Sequence, residues 1–93
     1  GEHVREIVDA ETGRVRLLDD GFGTLDDADA ADAFDAIERA DPAPFAVVVD
    51  GGLSQRMLDI AAQRGVEHVV ARTTGEFVKR PVDVRVRTAD QLA

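Results

Sequence analysis

Apolar residues fall into distinct rhythms along this chain. Phe45-Ala46-Val47-Val48-Val49 is an unbroken, mostly β-branched run. A run without polar alternation predicts a central strand covered on both faces, as in parallel sheets. Asp50-Gly51-Gly52 then predicts a stop and a sharp turn, because glycine tolerates backbone angles closed to other residues. Beyond it the rhythm becomes helical. Leu53, Met57, Ile60 and Ala61 recur at three- and four-residue steps, and Leu58 and Ala62 widen the stripe. Gln55, Arg56, Asp59 and Gln63 fall on the opposite, wet face. Ser54 is placed to cap the first turn and Gly65 to close the last in a left-handed conformation. A second strand follows from Val66 to Ala71, which makes this stretch a β-α-β unit.

The flanks are organised around that unit. Val4, Ile7 and Val8 are spaced for a short helix over 2–9, with a strand as the alternative. Arg14 to Leu18 alternates basic and apolar residues and predicts a half-buried strand. Asp19-Asp20-Gly21-Phe22-Gly23 is turn chemistry, and Thr24-Leu25 suits a short return strand closing a hairpin. Ala30, Ala33, Phe34, Ile37 and Ala40 predict a helix over about 29–40, its aspartates crowded towards the start, where the helix dipole favours negative charge. Pro42 and Pro44 end it. Residues 73–81 read as a loop, and Val82, Val84 and Val86 alternate with Asp83, Arg85 and Arg87 as a strand with one wet face. Thr88-Ala89-Asp90-Gln91 has the spacing of a capping box, so the chain closes in a turn of helix. The expected fold is a small α/β domain, three-layer-like, with a mostly parallel central sheet, helices on its faces and an N-terminal hairpin. It is one domain over 1–93, with a helix–hairpin–helix half, 1–44, and a half, 45–93, holding the β-α-β unit and final strand.

Composition narrows what such a domain does. There is no cysteine among the 93 residues, which removes disulfides and thiolate metal sites. No apolar run reaches membrane-span length, so the expectation is a soluble, cytoplasmic domain without a membrane partner. Nineteen acidic residues face eleven basic ones, ten of them arginine, a balance resembling proteins of salt-loving archaea. Residues 1–50 carry a net charge of −10 and residues 51–93 one of +2, so a polyanion would be sought in the second half.

Candidate chemistry is sparse. Asp50-Gly51-Gly52 invites a nucleotide-binding or catalytic reading, yet it lacks the three-glycine fingerprint and a phosphate-loop lysine, and Asp50 would repel phosphate. The acidic run lacks the glycine and closing glutamate of a calcium loop, and Asp27-Ala28-Asp29 has no partner glutamate for a magnesium site. His3 and His68 stand apart without a second ligand or a triad, so His68 reads as an ordinary strand residue. Neither a catalytic residue nor a metal or cofactor site is therefore expected. Arg72, Lys79, Arg80, Arg85 and Arg87 are spaced for a basic patch that RNA or DNA would use, although Phe77 is the only aromatic beside it.

Several segments together resemble the C-terminal domain of archaeal DnaG-type primases. They are Val48-Val49-Asp50-Gly51, Ser54-Gln55-Arg56, Asp59-Ile60-Ala61-Ala62, Arg64-Gly65-Val66, then Gly75, Val78-Lys79, Pro81 and Thr88-Ala89-Asp90-Gln91-Leu92. The likeness covers roughly residues 14–92 and is concentrated in 46–92. It implies a non-catalytic fragment of a DNA-replication protein, a primase whose magnesium-dependent primer synthesis belongs to a Toprim domain with no counterpart here. It also implies membership of the RNA-degrading exosome, with docking of the C-terminal region to the S1-bearing cap subunit and binding of adenine-rich RNA through the parent protein. The chemistry of the loops and wet helix face then makes Ser54, Gln55, Arg56, Gly75, Phe77, Lys79 and Arg80 candidate partner contacts. An accessory nucleic-acid module using Arg72, Arg85 and Arg87 is the alternative. Oligomeric state is open.

Overall fold

In the computed structural model, which describes residues 2–9, 11–74 and 81–92, strand β3 (Ala46–Leu53) is the axis of a five-stranded sheet. Helix α1 begins at Glu2–Val4 and widens into a π turn over Arg5–Asp9. Strands β1 (Arg14–Leu18) and β2 (Thr24–Asp29) form the hairpin. A 3-10 turn, Ala30–Asp32, leads into α2 (Ala33–Arg39). After β3 come α3 (Gln55–Gln63), β4 (His68–Thr74), β5 (Arg85–Thr88) and a closing 3-10 turn, Ala89–Leu92.

The sheet order is β2-β1-β3-β4-β5. The pairs β3–β4 and β4–β5 are parallel, whereas β1 runs against both β2 and β3. The α/β class therefore holds, but the sheet is mixed rather than mostly parallel. The reason is topological. The crossover β2-α2-β3 leaves room for one strand between its two, and β1, the first arm of the hairpin, fills it in the opposite sense.

Three local expectations change. The strand does not stop at Asp50: β3 continues through Asp50-Gly51-Gly52 to Leu53, with a register shift against β4 between Val49 and Gly52. Neither glycine has a positive φ, so the pair makes a bulge rather than a turn. The return strand β2 reaches Asp29, so Asp26, Asp27 and Asp29 lie on a strand and not at a helix start. Pairing explains this, since Arg14 stands opposite Asp29 and Arg16 opposite Asp27 across the hairpin. The Arg14 and Arg16 guanidiniums donate to those carboxylates at 3.2 and 2.8 Å, respectively. Last, β5 begins at Arg85, and Val82 sits 95% exposed in the preceding turn.

Other expectations hold in atomic detail. Ser54 Oγ accepts from the Met57 N–H at 3.1 Å and caps α3. Gly65 closes that helix at φ +75°, where a side chain would be strained. The Thr88 N–H donates to Gln91 Oε1 at 2.8 Å, the reach-back half of a capping box. In the hairpin turn Asp19 Oδ1 accepts from the Gly21 and Gly23 N–H groups at 2.9 and 2.8 Å, respectively.

Alternation along the strands gives the sheet two apolar faces. On one, α2 and α3 pack over Val15, Leu17, Val47, Val49 and Val69, with Ile37 and Leu58 fully buried between. On the other, Val4 and Ile7 of α1 and Ala89 of the closing turn pack on Leu18, Ala46 and Val48. The first face is sealed by two helices. Among the described residues, only α1 and the closing turn cover the second, and only in part.

Candidate functional site

The uncovered part of the second face is a groove of about 400 Å³. Its floor follows from the β-branched rhythm of β3 and β4, which sends Ala46, Val48 and Val70 to this side. Ala46 and Val48 are buried at its base, each 4% exposed, whereas Val70 and the adjoining Phe45 are half-buried. Phe22, held in the hairpin turn at φ +62°, is 54% exposed and stands edge-on to Phe45, with ring centroids 5.8 Å apart. The Phe45 ring in turn lies 5.3 Å from the His68 ring. Phe22 and His68 line the groove, and the Phe45 ring behind them touches both, a wall apolar at Phe22 and polar-tipped at His68.

His3 of α1 anchors that wall. Its Nε2 lies 2.7 Å from the Phe22 carbonyl, and its Nδ1 lies 3.1 Å from Arg16 Nη1. A carbonyl accepts and a guanidinium donates, so this pattern fits the Nε2–H tautomer. Arg16 also donates to Glu6 at 3.0 Å and to Asp27, which ties α1 to the hairpin. The hydrogen bond to Asp27 holds the guanidinium pKa above its ordinary value; burial opposes it and Glu6 adds to it.

Across the groove, β5 presents Arg85 and Arg87, both exposed and paired in register with His68 and Val70. Among the described residues neither arginine has a carboxylate partner, and no residue lining the groove is acidic. In a chain of net charge −8 this is a marked exclusion. An apolar floor between cations and aromatic rings suits an anionic group attached to an apolar body.

Arg72 does not join the two β5 arginines as a free cation. Its Nε donates to Asp50 Oδ1 at 2.6 Å, and Asp50 Oδ2 accepts from the Gly13 N–H at 2.6 Å. The Asp50 side chain is 6% exposed. Burial pushes its carboxyl up, but the Gly13 N–H and the hydrogen bond and charge of Arg72 together outweigh that and hold it below the usual carboxylate range. Asp50 thus clips the start of β1 and strand β4 to the bulged end of β3. It is a structural carboxylate, placed where its negative charge is already spoken for.

Ser54, Gln55 and Arg56 lie together at the start of α3. Ser54 caps the helix, and Gln55 Nε2 donates to Asp59 Oδ1 at 2.9 Å, one turn on. The Arg56 guanidinium stacks 3.9 Å above the Phe34 ring of α2 and fastens the two helices. Each of the three therefore has an internal contact that accounts for it. Gly75, Phe77, Lys79 and Arg80 lie outside the described residues. Sequence reasoning missed the Phe22, Phe45 and His68 cluster; the available signal was ring-bearing residues at the starts of β3 and β4 and in the hairpin turn.

Asp26, Asp32 and Asp35 line a separate shallow cleft beside Arg39. Among the described residues no group of three or more His, Asp or Glu side chains could hold a metal ion. Among the same residues no helix is long and apolar enough to cross a membrane.

Comparison with known proteins places this geometry in a wider setting. A protein of Natronomonas pharaonis called DNA primase DnaG is 62% identical over 90 residues, which is 97% of this chain and 18% of that protein. Its namesake in Halorubrum lacusprofundi is 60% identical over 91 residues, 98% of this chain and again 18% of the relative. One of Methanothermobacter thermautotrophicus is 32% identical over 77 residues, covering 83% of this chain and 20% of that protein. The chain thus spans about a fifth of the length of the curated relatives it matches, in their C-terminal part. No family model and no solved structure matches it.

Proposed function

Because this chain is a segment of the archaeal DnaG-type primase family, we propose that it is a non-catalytic docking domain, which seats the parent primase on the S1-bearing cap subunit of the exosome. In this reading primer synthesis, its magnesium and the binding of adenine-rich RNA belong to other parts of the parent protein. The observation that supports docking is the second face of the sheet, which the described residues cover only in part, leaving an apolar groove beside α1, while α2 and α3 seal the other face. Contacts built on apolar burial also survive concentrated salt, which weakens exposed ion pairs.

A second reading, an accessory RNA- or DNA-binding module, is favoured by one specific feature, Arg85 and Arg87 on the groove's edge, which have no carboxylate partner among the described residues. Calorimetric titration in molar salt separates the two. Saturable binding of the isolated cap subunit, with no heat from an adenine-rich oligonucleotide, is the expected result. Binding of the oligonucleotide without the cap subunit would replace docking by the nucleic-acid reading.

A further inference from the structure

We propose that the groove on the second sheet face is a receptor for an acidic amphipathic helix of a partner protein, its apolar stripe on the valine floor and its carboxylates on Arg85 and Arg87. This deepens the docking reading by giving the chemistry of what docks, and rests on it only for the idea that a protein is the occupant.

Width supports a helix. The groove's lining runs from Ala46 and Val48 of β3, each only 4% exposed at its base, across the half-buried Val70 of β4 to Arg85 and Arg87 of β5, two inter-strand steps, or about 10 Å. That is about the diameter of one α-helix with its side chains. Helix α1 already lies over the β1–β3 side through Val4 and Ile7, so a second helix laid beside it would complete the layer as α2 and α3 do on the opposite face.

Charge sets the sign of the occupant. Among the described residues the groove's lining holds two arginines, two histidines and no carboxylate, whereas acidic residues outnumber basic ones by 19 to 11 in the whole chain. A basic helix would leave Arg85 and Arg87 facing like charge, at a cost that rises as water is excluded. An acidic one gives each guanidinium a carboxylate in a geometry suited to a planar fork. The Phe22 and His68 rings, both backed by Phe45, offer the apolar stripe a rigid end-wall. Nucleic acid fits less well. Phe22 and Phe45 meet edge to face, with ring planes at 74°, so they do not form a row of parallel platforms for successive bases.

The test uses two synthetic helical peptides of identical leucine stripe, one flanked by glutamate and one by lysine, titrated into the isotope-labelled 93-residue chain. At about 0.15 M salt the Debye length of ~8 Å leaves contact-range charge effects readable. The glutamate peptide is expected to perturb the amide signals of Leu18, Phe22, Val48, His68 and Val70. It should bind about tenfold more tightly than the lysine peptide, a modest ratio set by rim-exposed pairs. The double variant Arg85→Glu, Arg87→Glu should reverse that preference while keeping its circular dichroism spectrum. Equal affinities for the two peptides, perturbation confined to α2 and α3, or an unchanged preference in the double variant would each overturn the proposal. So would an adenine-rich oligonucleotide that displaces the glutamate peptide from these residues. Titration of the cap subunit into wild type and double variant tells the two readings apart. Equal binding to both would remove the groove and keep docking, whereas no binding to wild type would remove docking while the peptide result stands.

Discussion

Asp50 is the most consequential carboxylate in the described part of the chain, and its replacement is the sharpest check on the account of the fold. Asp50→Ala removes the acceptor of two short hydrogen bonds, one from the Gly13 N–H and one from Arg72, each of 2.6 Å. Hydrogen bonds to a charged group contribute roughly 1.5–3 kcal/mol apiece. The sum needs a discount, because the Arg72 side chain is 39% exposed and regains water when its partner is lost. About 2 kcal/mol is the expected loss. For a domain of this size that corresponds to a fall in Tm of about 8–16 °C, read by circular dichroism or differential scanning calorimetry. Asp50→Asn keeps a neutral acceptor for Gly13 and should lose roughly half as much.

The pH dependence carries the sign. The carboxyl is held below its ordinary value in the folded chain. Its contribution is therefore complete above the unfolded value of about 3.9 and disappears as pH falls through the lower folded value. The gap between wild type and Asp50→Asn should be constant from neutral pH to about 5 and close progressively below it. A double-mutant cycle with Arg72→Ala should return a coupling near 1 kcal/mol. A loss below about 0.5 kcal/mol for Asp50→Ala, or a gap indifferent to acid, would refute the clip.

Three further substitutions test separate joints. Leu58→Ala empties a fully buried site between α3 and the sheet and should cost about 3 kcal/mol in urea unfolding, with a smaller loss indicating a core that collapses around the gap. Ser54→Ala removes the cap on Met57 N–H and should lower stability by about 1 kcal/mol, whereas Ser54→Asp should nearly restore it. Gly65→Ala places a β-carbon at φ +75° with no steric neighbour within 4 Å, so the expected Tm drop, from about 1 kcal/mol, reports backbone strain alone.

The β3-α3-β4 unit was legible because its signals are local. An apolar run, a serine cap, a helical stripe and a left-handed glycine each specify conformation within a few residues. The closing turn was legible for the same reason, through Thr88 and Gln91. Strand β2 was not, because aspartate is a poor strand former, and the arginines that hold Asp27 and Asp29 sit on another strand. The Asp50-Gly51-Gly52 bulge was hidden by the usual meaning of paired glycines. Of the groove, Arg85 and Arg87 were visible as unabsorbed charge. Its wall was not, since Phe22, Phe45 and His68 meet only after the hairpin folds beside β3. The run 45–49 promised two sealed faces, and no local pattern states how far α1 extends over the second.

Strand order turns the charge asymmetry of the sequence into a spatial one. The aspartate-bearing strand β2 is at one edge of the sheet, and β5, with Arg85 and Arg87, is at the other. Four inter-strand steps separate them, about 19 Å. That exceeds the Debye length of ~8 Å at physiological salt and far exceeds ~3 Å at molar salt. The acidic edge therefore cannot neutralise the basic one through solvent, and its aspartates are in any case partly engaged by Arg14 and Arg16. Arg85 and Arg87 keep their charge for whatever touches them. Screening on this scale also abolishes steering from a distance, so selectivity at the groove must arise at contact, where water is excluded and the apolar floor contributes. A surface of this kind discriminates by shape and sign together, and raising salt should slow association only modestly while leaving the apolar part of the affinity in place.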